Sequence, residues 1–124
     1  MTRVDVSEGW TAGASVRGAQ TALSAFLREW GMRVVGEQPG EVHARQGRWL
    51  GRILGPRFAP AAWLPARAVV RYEPGDRGLA VRATIGEASA AAALDPRAEA
   101  KYRDHFARWM AALRTRLGPP AAGP

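Results

Sequence analysis

The sequence predicts an α+β domain: an antiparallel sheet of four or five strands with an N-terminal and a C-terminal amphipathic helix packed on one face. Three observations carry that reading. Apolar stripes at three- and four-residue steps run from Val16 to Trp30 and again from Ala98 to Leu117. Between them, residues 68–72 and 79–85 alternate apolar with polar around the dense turn signal Glu73-Pro74-Gly75-Asp76-Arg77-Gly78. The chain has 124 residues, 47% of them hydrophobic and 23% charged, which suits one globular domain and not a disordered tail.

The elements follow in order. Residues 1–14 hold Gly9, Gly13 and mixed polar residues without a period, so a loose lead-in is expected, with Val4 and Val6 offering a short edge strand. The single domain is expected over residues 15–118. Its first helix opens at Ser15, a good N-cap, and stops at Gly31, which supplies the left-handed backbone of a C-terminal cap. Val16, Ala19, Leu23, Phe26, Leu27 and Trp30 form its apolar stripe.

Two short β-compatible runs around Pro39-Gly40 predict a hairpin. With those two residues as the loop, Gln38 faces Glu41 and Val35 faces Ala44. Val35, Val42 and Ala44 then point to the core, while Val34, Gln38, Glu41, His43 and Arg45 point away. The second hairpin is the clearest. Ala68, Val70, Tyr72, Leu79, Val81, Ala83 and Ile85 make its dry face, and Arg67, Arg71 and Arg82 lie opposite. A register with Tyr72 facing Leu79 sets Val69 against Arg82.

Asp95-Pro96 opens the last helix as N-cap and first helical residue. Ala98, Tyr102, Phe106, Trp109, Leu113 and Leu117 line its apolar side, and Gly118-Pro119 ends it. Residues 119–124 are expected to be a disordered tail. The segment from Gly47 to Pro65 is the conflict in this scheme. Its prolines and glycines oppose regular structure, yet Phe58, Trp63 and Leu64 demand burial. They either plug the open end of the core or form an apolar loop for a ligand or partner.

Composition excludes several functions. There is no Cys, so disulfide scaffolds, thiolate zinc sites and cysteine nucleophiles are out. No apolar run nears the roughly 20 residues of a membrane span, and the first ten residues lack a signal-peptide core, so a cytoplasmic location is expected. No phosphate-cradling Gly-rich loop with Lys, nucleophile elbow, HExxH or EF-hand loop occurs. No cofactor and no metal is expected. The net charge is +7, and all but one of the 18 basic residues is Arg, the exception being Lys101. That excess attracts polyanions through phosphate or lipid headgroup contacts.

The candidate residues are few. His43 beside Glu41 is a weak candidate for a general base with its orienting carboxylate. Arg67, Arg71 and Arg82 share one sheet face and form the candidate anion clamp. The face lacks aromatics at its central positions, which lowers a base-stacking reading. The sequence therefore leads first to a small non-catalytic binding or accessory module. It would present the Phe58–Trp63–Leu64 loop or a concave sheet to a partner protein or a small apolar ligand, with a homo-oligomer in view. A sequence-nonspecific nucleic-acid or anionic-surface binder, and then a small cyclase- or isomerase-like enzyme with an apolar cleft, follow behind.

Overall fold

The computed structural model describes residues 4–48, 54, 59–88 and 96–119. Strand β1 (Asp5–Ala12) leads into helix α1 (Val16–Glu29), followed by β2 (Arg33–Gln38), β3 (Glu41–Gln46), a 3-10 turn (Ala61–Trp63), β4 (Ala66–Gly75), β5 (Gly78–Glu87) and helix α2 (Pro96–Leu117). All strand pairs are antiparallel, in the spatial order β1-β5-β4-β3-β2. Both helices pack on one face of this five-stranded sheet, as the sequence predicts.

Each helix end has a local cause. The Ser15 hydroxyl accepts from the Gly18 amide at 3.0 Å, capping α1. At the other end the Gly31 amide donates to Arg28 and the Met32 amide to Leu27, with Gly31 at φ 71°. That is the Schellman pattern, and only glycine enters it without a Cβ penalty. Helix α2 carries the heart of the core. Tyr102, Phe106, Trp109 and Leu113 are all fully buried, and the Phe26 ring lies 5.6 Å from that of Trp109. Burying side chains of this size contributes roughly 1.5–3 kcal/mol each.

Several expectations need correction. Where a loose lead-in is expected, Asp5–Ala12 form β1, an eight-residue edge strand hydrogen-bonded along β5. Its apolar alternation is interrupted by Glu8, which shares the helix-facing side with Val6, Trp10 and Ala12. Arg114, in the last turn of α2, resolves that conflict. It reaches Glu8 at 3.2 Å and lies 5.3 Å over the Trp10 ring. The Gly13 amide donates to Gly118, tying the strand's end to the helix's end.

In the first hairpin Gln38 does face Glu41, and Val42 and Ala44 are buried as expected. Val35 is not core. A bulge between Val34 and Gly36 inserts it as an unpaired residue, Val34 takes the place opposite Ala44, and Val35 is 56% exposed. In the second hairpin the turn is Asp76-Arg77 alone, with Gly75 opposite Gly78. The ladder therefore continues past the expected loop, and Tyr72 faces Val81 while Arg71, not Val69, faces Arg82. Trp49, Leu50, Ile53, Phe58, Asp95 and residues 120–124 lie outside the described residues.

Segment 59–65 is clamped to the sheet end by side chains. The Gln46 amide nitrogen donates to the carbonyls of Ala61 and Leu64, both at 3.0 Å. Its oxygen then accepts from His105 Nε2 at 2.9 Å. Lys101 Nζ donates to the Ala59 carbonyl at 2.7 Å and the Tyr102 hydroxyl to that of Pro65 at 3.0 Å. Leu64 is fully buried and Trp63 is half-buried, with Arg48 over its ring.

Candidate anion-binding sheet face

The sheet face turned away from the helices carries three rows of residues running across all five strands, and a shorter fourth, Glu73, Ala80 and Thr11, across β4, β5 and β1. Register alone sets them. The first row is Arg33, Arg45, Arg67, Gly86 and Asp5, reading from β2 to β1. The second is Gly36, His43, Val69, Thr84 and Ser7. The third is Gln38, Glu41, Arg71, Arg82 and Gly9. Neighbours within a row sit about 4.8 Å apart, and the first and third rows are four residues apart along β1, β3, β4 and β5, roughly 13–14 Å, and five along the bulged β2.

The structure thus brings Arg67, Arg71 and Arg82 onto one face, but divides them between two rows. Arg71 and Arg82 are direct cross-strand neighbours in the third row. Arg71 Nε donates to Glu41 Oε1 at 2.5 Å, and His43 Nε2 lies 3.2 Å from Glu41 Oε2. Glu41 is therefore a bridge between an arginine and an imidazole. The Arg71 hydrogen bond first, and the His43 contact second, hold its carboxyl below the usual range. Arg82 has no such partner among the described residues, and its guanidinium lies across Gly9, where a Cβ would sit 3.5 Å from it. The sequence candidates His43 and Glu41 do meet. The carboxylate orients the ring, but it is committed to Arg71 as well, and no second acid or base among the described residues converges on the pair.

The first row contains two residues that sequence reasoning did not place in the clamp, Arg33 and Arg45. Arg67 stands directly opposite Arg45, and Arg45 opposite Arg33. No carboxylate of the described residues pairs with any of the three. Asp5, at the row's far end, lies over Gly86, so closely that a Cβ there would collide with its Oδ1. Alternation along β3 already set Arg45 outward, but hairpin patterning does not say which hairpins pair. The β3–β4 ladder is what assembles the row.

The middle row is low. Val69 and Thr84 are half-buried, Gly36 has no side chain, and the Ser7 and Thr84 hydroxyls are 3.0 Å apart. His43 alone stands above it. Open depressions of about 440 Å³ beside Arg67, Val69 and Thr84, and of about 690 Å³ beside Arg71, Arg82 and Gly9, mark the two ends of this relief. Among the described residues no group of three or more His, Asp or Glu side chains is placed to hold a metal ion. No described helix is long and apolar enough to cross a membrane.

Of the predicted apolar loop, two residues are described. Leu64 belongs to the core, Trp63 packs partly against it, and Phe58 lies outside the described residues.

No family model matches the chain, and no match was found among curated proteins. A crystal structure of protein MLL2253 from Mesorhizobium loti is similar over 92% of this chain and 96% of that one, with a TM-score of 0.59 at 12% sequence identity. The likeness is one of fold.

Proposed function

We propose that the chain is a non-catalytic binding module that takes an anionic partner on its open, arginine-bearing sheet face. The observation that carries this reading is the row Arg33–Arg45–Arg67. Like charges directly opposite each other on a sheet oppose pairing, by a few tenths to about 1 kcal/mol per pair. On α2 the fold meets four arginines with acids: Arg103 with Glu99, Arg108 with Asp104, Arg114 with Glu8 and Arg116 with Glu29. On the sheet face it leaves three adjacent guanidiniums open to a ligand. Guanidinium forks match phosphate, sulfate and carboxylate oxygens in bidentate geometry.

The apolar-loop reading has less support. Leu64 fills the molecule's own core, and Gln46 and His105 hold the segment in place. An enzymatic reading needs a free titratable pair in a cleft, whereas Glu41 is shared between His43 and Arg71.

Heparin affinity tests the proposal. The triple variant R33Q/R45Q/R67Q should elute at markedly lower salt than the parent chain. The helix variant R103Q/R108Q, which removes charge from paired positions, should elute close to it. Equal losses in the two variants would mean that net charge, not the row, determines retention.

A further inference from the structure

We infer that the trough between the two guanidinium rows seats one sugar–phosphate backbone of a double-stranded nucleic acid, held from both sides and without regard to sequence; this rests on the anion-binding reading above. Arg33, Arg45 and Arg67 form one wall, and Arg71 and Arg82 the other. The floor is Val69, Thr84 and Ser7 on β4, β5 and β1, all short side chains, with His43 standing above it on β3. The walls stand roughly 13–14 Å apart, and the trough crosses five strands, about 19 Å in length. That is a long and recessed site. A compact single anion fills only part of it, whereas a backbone presents a series of phosphates to both walls.

Three features select the class of polyanion. Among the described residues the outer face carries no Phe, Tyr or Trp. Single strands are normally bound by stacking their bases on such rings, worth a large share of the affinity. A duplex keeps its bases stacked inside and offers its phosphates alone, which is what guanidiniums without aromatics can use. A bilayer is the remaining polyanionic surface. It is flat and would meet the walls only, and Val69 on the trough floor is too low to insert among acyl chains. Asp5 at the β1 end of the first row, and Glu41 on β3 and Glu73 on β4 beside Arg71, disfavour phosphate at their own positions, and so direct the backbone towards Arg67 and Arg82 over β4 and β5.

The test is a fluorescence anisotropy titration of the full chain with a labelled mixed-sequence duplex of ~20 base pairs, the corresponding single strand, and vesicles containing phosphatidylserine, over a range of salt. The duplex should bind tightest, equally well for unrelated sequences, with log affinity falling linearly in log salt. R33Q/R45Q/R67Q should weaken duplex binding more than tenfold and flatten that slope by about 3, close to one for each phosphate that is no longer neutralised. Single strand or vesicles binding as tightly as the duplex, or an unchanged slope in the folded triple variant, would overturn the inference. If heparin retention still depends on the row in that case, the anion-binding reading survives without it. If neither heparin nor duplex binding depends on the row, both fail.

Discussion

A single buried contact governs how the far end of the core behaves with pH. His105 sits on α2 beside the charged Asp104. In the structure it is 8% exposed, its ring tilted against that of Trp30 at 5.5 Å and hydrogen-bonded to Gln46. Helical periodicity cannot announce such a residue, because its partner lies on a strand 59 positions away. Both carbonyls that Gln46 serves can only accept, so its oxygen must turn to His105, and the neutral ring carries its proton on Nε2. Burial pushes the His105 pKa down, against the smaller opposing pull of Asp104. The unfolded chain therefore takes up a proton near pH 6.5 that the folded chain resists. The stabilisation is complete above that value and declines as pH falls below it, because the unfolded state binds more protons in that window. The urea midpoint should fall between about pH 7.5 and pH 5.5, and the fall should be smaller in His105→Gln. A wild-type midpoint that stays flat across that range would contradict this account.

At the scale of elements, patterning was most legible where one face is dry. The β4–β5 hairpin, both helices and the caps at Ser15 and Gly31 follow from alternation, 3.6-residue spacing and glycine at a positive φ. It was least legible where the sheet is one-sided and edged. β1 hides Glu8 among its inward positions because Arg114 waits there, and β2 is bulged at Val35, which no count of alternating residues reveals. The segment before β4 shows how a conflict in sequence resolves in space. Prolines bar regular hydrogen bonding there, so side chains of β3 and α2 satisfy its carbonyls instead. Leu64 and Trp63 should then behave differently although they are adjacent. Leu64→Ala leaves a cavity in the core and should cost about 2–4 kcal/mol. Trp63→Ala removes a ring that is only partly covered and should cost about 1–2 kcal/mol. Urea denaturation of the two variants measures both. If Trp63→Ala were the costlier, this segment would owe its position to the ring and not to the Gln46 clamp and Leu64.

At the scale of the whole molecule, charge is distributed by face. Arg103, Arg108, Arg114 and Arg116 of α2 pair with acids of α2, α1 and β1, while the sheet's outer face keeps a line of three that do not. Composition showed the surplus of +7 but could not show where it collects, because that depends on which strands become neighbours. The pairing of β3 with β4 turns three arginines spread over residues 33–67 into adjacent charges. Such an arrangement has a consequence that needs no ligand. Repulsion along the row acts against the folded state and is relieved by counterions, since all three side chains face water. Without a ligand, R33Q/R45Q/R67Q should therefore be more stable than the parent chain at low ionic strength, by about 1 kcal/mol from the two relieved neighbour pairs. The gain should shrink towards zero as salt is raised to about 1 M, where screening reaches only about 3 Å. Urea is the suitable denaturant because, unlike guanidinium, it adds no ions. A ligand-free triple variant less stable than the parent at low salt would show that the arginine stems contribute more by packing than their charges cost. The row would then be a structural feature of the sheet before it is a binding surface.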